Sequence, residues 1–95
     1  MNFKLTNKAY GDLKDIARYT QKTWGCAQRN DYLSKMDTAF HMIADNYRLG
    51  VSCGHIRNGY RKYAVGRHFV FYHIEKGTVI IVRILHQSMD VEREF

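Results

Sequence analysis

The hydrophobic spacing of this chain changes near its middle, from a helical period to a strand period. Between residues 10 and 47, apolar side chains recur every three or four positions, which places them on one face of an α-helix. From residue 60 onward, aromatic and β-branched residues alternate with polar ones or run together, as they do in strands. This order predicts an α+β fold in which helices come first and pack on a sheet.

Two helices are predicted before residue 50. Thr6 or Asn7 can cap the first helix by accepting a backbone N–H, and Gly25 is placed to end it. A second helix is predicted to run to Gly50, and the short connection at Gly25 makes the pair an antiparallel helical hairpin. The positions predicted to face the sheet are Tyr10, Leu13, Ile16, Ala17, Thr20 and Trp24 in the first helix and Tyr32, Met36, Ala39, Phe40, Ile43 and Tyr47 in the second.

Three strands are predicted after a glycine-rich loop at residues 50–59. They are "YRKYAV", "HFVFYHI" and "VIIVRIL", interrupted by Gly66 and by the turn "EKGT", in which Gly77 supplies a positive φ. A short opening strand, "NFKLT", is expected at one edge or beside the last strand. We therefore expect one domain over residues 1–95, with the hairpin on a mainly antiparallel sheet of three to four strands and a short C-terminal tail.

The net charge of +6 is concentrated in the second half of the chain. Residues 1–47 carry seven Lys or Arg against five Asp, whereas residues 48–95 carry eight Lys or Arg against four acids. Such a surplus favours an acidic partner, either a nucleic acid or an acidic polypeptide.

Several classes of protein are excluded by what the sequence lacks. The longest apolar run in the β-rich part, residues 79–82, is far shorter than a membrane span, and "MNFKLTNKAY" is not a secretion signal, so a cytoplasmic location without a membrane partner is expected. Cys26 and Cys53 form no C-x-x-C pair and predict two reduced thiols. Cys53 and His55 lack a second ligand pair, so neither a metal nor a cofactor is predicted.

The last strand places Arg83 among apolar residues. Strict alternation puts Arg83 on the face opposite the helices, where an apolar patch rimmed by charge is typical of a docking site. Arg61, Lys62 and Arg67 could join Arg83 in a basic concavity, although ordinary strand cations that extend to solvent remain an alternative. The same alternation assigns Ile80, Val82 and Ile84 to the helix side and Val79, Ile81, Arg83 and Leu85 to the other side.

The residues after the last strand have a structural interpretation. His86 ends the strand and its ring can cap the sheet by a hydrogen bond. Met89 is expected to pack under the helices, and Asp90 to act as the N-cap of a final turn. The aromatic residues predicted to lie in the core, rather than to stack on bases, are Trp24, Phe40, Tyr63, Phe69, Phe71 and Tyr72.

Three segments resemble one protein family. The strings "GYRKYAVGRHFVFYHI" and "VRILHQSMD" resemble the C-terminal half of the ParE branch of the RelE/ParE toxin superfamily, and "DLKDIARYTQKTWG" resembles the first helix of that family. The predicted order of short strand, helical hairpin and sheet extends the resemblance over the whole chain.

The resemblance implies a toxin of a bacterial type II toxin-antitoxin pair. Such toxins inhibit DNA gyrase by trapping it on cleaved DNA, and a ParD-like antitoxin neutralises them in a hetero-oligomer. The basic surplus agrees with an antitoxin whose acidic, disordered segment folds along the helices and sheet of the toxin. Candidate antitoxin contacts are Leu13, Ile16, Tyr19, Arg61 and Arg83, and candidate gyrase contacts are Arg83, His86, Met89, Asp90, Val91 and Phe95.

Two other functions stay open at the level of sequence. A RelE-like ribosome-dependent mRNA endonuclease would need cations for the phosphorane charge and an acid-base pair, for which Arg61, Lys62, Arg67, Arg83 and His86 are the candidates. Relatives of that kind place a Tyr or a His-Tyr pair close to the C-terminus, whereas this chain has no Tyr after His86, so the non-enzymatic interpretation is preferred. The second alternative is an inactive relative that still binds an antitoxin.

Overall fold

The computed structural model describes residues 1–95 and has the predicted α+β architecture, with two helices packed on one sheet. None of its helices combines the length and the apolarity that crossing a membrane would require. A short C-terminal helix follows the sheet, in the position predicted for the tail. The elements are β1 (Asn2–Leu5), α1 (Asn7–Trp24), α2 (Cys26–Asp45), a 3₁₀ turn (Tyr47–Leu49), β2 (Val51–Ser52), β3 (Arg61–Val65), β4 (His68–Glu75), β5 (Thr78–His86) and α3 (Val91–Glu94).

The sheet has the strand order β1-β5-β4-β3-β2. β1 lies at the edge of the sheet beside β5, as predicted, and runs parallel to it, while all other pairs are antiparallel. The fifth strand is β2, in which Val51 and Ser52 pair with Lys62 and Arg61. Two residues are too few to show alternation, so this strand is part of what the sequence predicts as a loop.

α1 begins after Thr6 and ends before Gly25, as predicted from these two residues. The hydroxyl oxygen of Thr6 accepts the N–H of Ala9 at 3.1 Å, and the same hydroxyl donates to the carbonyl of Val82 at 3.0 Å. At the other end Gly25, with a φ of 94°, donates its N–H to Gln21. Thr6 therefore both caps α1 and holds its start against β5.

α2 ends at Asp45, so its predicted extension to Gly50 is wrong. The side chain of Asn46 accepts the N–H of Arg48 at 3.2 Å and starts the 3₁₀ turn. A short amide side chain competes in this way with the helical hydrogen bonds, which the apolar spacing up to Tyr47 does not reveal.

The main core lies between the helical hairpin and the sheet. The central positions predicted from the helical period are confirmed, but Tyr10 and Trp24 are exposed. The buried stripe of α1 follows Ala9, Ile16 and Thr20, so Tyr10 and Trp24 lie at its margin and not at its centre. The buried members of this core are Ala9, Ile16, Met36, Ala39, Phe40, Ile43, Val65, Val70, Tyr72, Val79, Ile81 and Ile84.

A β-bulge in β5 changes which residues face the helices. Phe71 pairs with Arg83 but Tyr72 pairs with Ile81, so Val82 is an extra residue in the ladder. Before the bulge, Val79 and Ile81 face the helices, and the predicted faces of residues 79–82 are therefore wrong. After it, Ile84 faces the helices and Leu85 faces away, as predicted.

The turn "EKGT" joins β4 to β5 in the predicted way. Lys76 and Gly77 have φ values of 50° and 75°, as a two-residue type I′ turn requires. A second two-residue turn joins β3 to β4, where Gly66 has a φ of 56° and lies against the ring of Tyr32. A side chain at Gly66 would meet that ring, so the packing on α2 requires glycine there as well as the turn.

Candidate functional site

The sheet face opposite α1 and α2, here called the open face, is covered by the chain itself. Cys53, Phe71 and Leu85 form a second buried cluster on this face, with exposures of 0%, 0% and 1%. The loop at residues 53–60 and the tail, residues 91–95, pack over the cluster. The exposed apolar patch predicted here from the last strand is therefore wrong, because non-local segments cover it.

The tail is held on the open face by an aromatic contact. The ring of Phe95 lies 5.3 Å from Phe71 and 5.7 Å from Tyr60, centroid to centroid, and both pairs are steeply inclined. Inclined aromatic pairs at this separation are favourable beyond the area that they bury. Val91 contacts the same cluster, so α3 lies on the sheet through its apolar side.

Arg83 connects the sheet to α1 and to the tail. It lies opposite Phe71 in the ladder, which places it on the open face as predicted. Its Nε and Nη2 donate to the carboxylate of Asp12 at 2.7 and 2.9 Å, and its Nη1 donates to the backbone carbonyl of Glu94 at 3.3 Å. The side chains of Arg83 and Asp12 are only 16% and 14% exposed.

This ion pair is completed by the backbone. Asp12 also accepts the N–H of Ile84 at 3.0 Å, and its hydrogen bond to Arg83 raises the pKa of that guanidinium above the usual value. A bidentate pair of this kind is strong and fixed in geometry. Arg83 is thus an internal connector between α1, β5 and the tail.

The basic concavity predicted around Arg83 is not formed. Arg61 donates to the carbonyl of Gly50 at 2.7 Å, and the ammonium of Lys62 lies 4.5 Å from the ring of Phe69. Arg67 follows β3 at its other end, in the turn to β4. Arg61 and Lys62 are successive residues of β3 and therefore point to opposite faces of the sheet, while Arg67 lies outside the strand. The three cations therefore do not converge on Arg83.

The residues after β5 follow the structural interpretation in part. Nδ1 of His86 lies 2.7 Å from the hydroxyl of Ser88 and accepts the backbone N–H of Ser88 at 3.1 Å, so the ring bonds the turn after the strand and not, as predicted, the sheet itself. Asp90 occupies the N-cap position of α3, but its side chain makes no capping hydrogen bond. Met89 is exposed and not under the helices, because the turn after His86 carries the chain toward the open face.

Two of the three residues proposed on α1 as antitoxin contacts face inward. Ile16 is buried in the main core and Leu13 packs against it, whereas Tyr19 is exposed. The prediction that Leu13 and Ile16 present exposed sides is therefore wrong. They belong to the apolar stripe that α1 needs for packing on the sheet.

A groove between α2 and β3 is a surface that sequence patterns do not indicate. It has a volume of about 290 Å³, and its apolar part includes Ala39, Met42 and Val65. β2 covers only the first two residues of β3, so the outer edge of β3 lies open beyond Lys62. Finding this edge requires the strand order, which local spacing does not give.

The backbone of Ala64 is directed toward this open edge. Val65 and His68 flank a two-residue turn and form a hydrogen-bonded pair, so the N–H and C=O of Ala64 point away from β4. Unpaired strand groups of this kind are a template for a strand from another chain.

A polar cluster holds the β3–β4 turn on α2. The hydroxyl of Tyr32 lies 2.7 Å from Nδ1 of His68, donates to the carbonyl of Val65 at 3.1 Å, and accepts the N–H of Arg67 at 3.0 Å. Burial, and secondly the charge of His86, lower the pKa of His68 from 6.5 to about 4. His68 is therefore neutral in the folded protein at neutral pH.

Stability is expected to fall as the pH drops from 6.5 toward 4. In that window the unfolded chain protonates His68 and the folded chain does not, so protons favour unfolding. Because the ring is partly solvated, we expect a loss of about 1 kcal/mol, well below the full linkage value. Urea unfolding of the wild type and of His68→Gln at several pH values measures the loss.

The control is the same titration with His41→Gln. His41 lies on the exposed side of α2 beside Asp37, so this variant removes a histidine that is not part of the Tyr32–His68 cluster. Equal slopes for the wild type and His68→Gln between pH 6.5 and 4 would contradict the assignment.

Comparisons with known proteins agree with this arrangement. The family described as ParE toxin of type II toxin-antitoxin system, parDE, matches residues 3–91. Toxin ParE1 of Mycobacterium tuberculosis is 40% identical over 92 residues, which cover 96% of this chain and 94% of the relative. Toxin ParE1 of Caulobacter vibrioides is 39% identical over 88 residues, covering 93% and 91%.

A solved structure has the same fold. A chain of the chromosomal ParDE TA system from P. aeruginosa superposes with a TM-score of 0.79 at 17% identity, covering 90% of this chain and 95% of that one. The shared fold extends over both the hairpin and the sheet.

Proposed function

This chain belongs to the ParE family of toxins from type II toxin-antitoxin systems, and on that premise we propose that it inhibits DNA gyrase and is neutralised by a ParD-like antitoxin. The observation that carries the proposal is the family match, which includes nearly every element that builds the open face. The toxin acts at the enzyme–DNA complex and blocks replication by stabilising cleaved DNA.

Binding, rather than catalysis, is the mode of action that the geometry supports. The residues considered for a nuclease do not converge: Arg61 binds Gly50, Arg83 binds Asp12, and His86 binds Ser88. A phosphoryl-transfer site needs its cations and its acid-base pair within reach of one phosphate. The arrangement instead gives a rigid surface on which the tail is fixed.

The tail is the part of the toxin that we assign to gyrase. Val91 and Phe95 anchor it on the open face, while Met89 and Asp90 remain exposed beside it. The contacts of Arg83 with Glu94 and of Phe95 with Phe71 and Tyr60 fix the tail before gyrase binds, which lowers the entropic cost of binding. Arg83 thus contributes by position and not by direct contact.

A supercoiling assay with purified gyrase tests this function. Added toxin is expected to reduce supercoiling and to leave linear plasmid after detergent and protease treatment, since trapped gyrase holds a double-strand break. Unchanged supercoiling across a full titration would refute gyrase inhibition. A ribosome-programmed mRNA cleavage assay with His86→Ala as control would then test the nuclease.

The antitoxin is assigned to the groove between α2 and β3. An extended segment can pair with the outward backbone groups of Ala64 and place apolar side chains against Ala39 and Met42. Asp31 and Lys35 of the groove lie 3.3 Å apart and offset each other, so the preference for an acidic segment comes from the net charge of +6 of the whole chain. We therefore propose this groove as the antitoxin contact in place of Leu13 and Ile16, which face inward.

Met42→Asp is expected to weaken antitoxin binding by on the order of tenfold or more, because it puts a carboxylate against an acidic segment. Titration calorimetry with the ParD-like antitoxin at several salt concentrations measures the loss and its screening. Met89→Asp is the matched control, since Met89 is 46% exposed and Met42 is 43% exposed. Equal affinity of the Met42→Asp and Met89→Asp variants for the antitoxin would contradict binding in this groove. Unchanged affinity of the wild-type toxin for an antitoxin that lacks its acidic C-terminal segment would contradict it as well.

A further inference from the structure

The outer face of α1 carries a straight row of cations. Lys14, Arg18 and Lys22 follow one another at four-residue intervals and all are exposed. At a rise of about 1.5 Å per residue, neighbouring charges in this row start about 6 Å apart along the helix. Lys8 is also exposed on α1, six residues before Lys14.

The acidic residues of α1 offset little of this charge. Asp12 is turned inward and bound to Arg83, so it is not available to the row. Asp15 is exposed and lies 3.6 Å from Arg18, with 77% of its side chain in solvent. An exposed pair of this kind is weak and screened, so the outer face of α1 remains strongly positive.

Gly11 lies in the same row, one turn before Lys14. A Cβ at Gly11 would meet nothing within 4 Å, and its φ is not positive. Neither the packing nor the backbone conformation at this position therefore requires glycine. Glycine is also less favourable than alanine for helix stability in the interior of a helix. What glycine does provide is bare backbone at which another molecule can approach α1 closely.

Two exposed tyrosines flank the row. Tyr10 and Tyr19 are 56% and 67% exposed, and the ammonium of Lys14 lies 5.0 Å from the ring of Tyr10. Tyrosine hydroxyls and lysine and arginine side chains are the groups that commonly bind phosphate oxygens of a nucleic-acid backbone.

We propose that the outer face of α1 binds the sugar-phosphate backbone of duplex DNA. The row consists of Lys14, Arg18 and Lys22, with Gly11 as the point of closest approach. The groove proposed above for the antitoxin is lined by residues of α2 and β3 and by no residue of α1, so the row on α1 is left for a different partner. A regular row of like charges suits a regular linear polyanion, and the contact is independent of sequence because it addresses phosphates.

This inference goes beyond gyrase inhibition, because the contact is made with DNA alone and is measured without gyrase. Through this contact the toxin would bind the same DNA duplex that gyrase, its proposed target, binds. Failure of DNA binding leaves the gyrase proposal intact, and failure of gyrase inhibition leaves the DNA contact intact.

Fluorescence anisotropy with a short labelled duplex of mixed sequence tests the proposal. Lys14→Gln, Arg18→Gln and Lys22→Gln together are expected to weaken binding at least about tenfold at low salt, and to reduce the slope of log K against log salt by about 2 to 3. Lys35→Gln, Arg48→Gln and Lys76→Gln together remove the same charge from exposed sites outside α1, and are expected to weaken binding much less.

Gly11→Ala separates docking from folding. It is expected to raise the melting temperature, because alanine favours helix, and at the same time to weaken DNA binding severalfold. The proposal is overturned if the wild type does not bind the duplex at about 50 mM salt, or if the two triple variants bind equally. Loss of antitoxin affinity in the α1 triple variant, with DNA binding retained, would also overturn it and assign the row to an acidic polypeptide.

Discussion

Replacing Asp12 with alanine is expected to lower the free energy of unfolding by about 3 kcal/mol, since it removes one partner of a nearly buried ion pair. Arg83 would keep its charge at 16% exposure with only Glu94 near it. The N–H of Ile84, which donates to Asp12, would lose its partner as well. The cost therefore combines an uncompensated charge with an unsatisfied backbone donor.

Urea unfolding of Asp12→Ala and Asp15→Ala measures this cost against a matched control. Asp15 lies on the same helix, and its ion pair is 77% exposed on the carboxylate side, so its removal should cost less than about 0.5 kcal/mol. In Asp12→Ala/Arg83→Met the loss should be smaller than in Asp12→Ala alone, because no buried charge remains. Equal stability of the two single variants would show that the Arg83 pair contributes nothing.

Removal of residues 91–95 is expected to reduce gyrase inhibition by on the order of tenfold or more, since the proposed target surface would lose its fixed segment. Phe71 and Leu85 would gain access to solvent, and Arg83 would lose Glu94. Because the exposed apolar area is limited to one face of a short helix, the stability loss should stay near about 1 to 2 kcal/mol.

The supercoiling assay and a thermal melt, performed on the same truncated protein, separate function from folding. Phe95→Ala should reproduce much of the effect, because Phe95 anchors the tail on Phe71 and Tyr60. Glu75→Gln changes an exposed acidic residue at the end of β4, outside the tail, and serves as the control. A folded truncated toxin with full potency would place the gyrase contact elsewhere on the surface.

The parts of the fold that sequence predicts are those fixed by neighbouring residues. The start of α1 depends on Thr6 and its end on Gly25, and both lie within a turn of the groups they satisfy. The type I′ turn likewise depends on Lys76 and Gly77 alone. The order of periods then suffices for the α+β class.

The parts that sequence does not predict depend on distant contacts. The β-bulge at Val82 reverses the faces of one half of β5, and no local spacing marks it. The partner of Arg83 is Asp12 in the first helix, and the cover of the open face comes from residues 53–60 and 91–95. Consequently the sequence indicates that Arg83 matters but assigns it to an outside partner.

The parallel pairing of β1 with β5 has a consequence for how the protein folds. Asn2 and its ladder partner Thr78 lie about 76 residues apart in the sequence, and no other strand borders β1. Closing such a long loop is slow, so this pairing is expected to form late in folding. Until it forms, the edge of β5 that β1 covers is unpaired, and a strand from another molecule can pair with it.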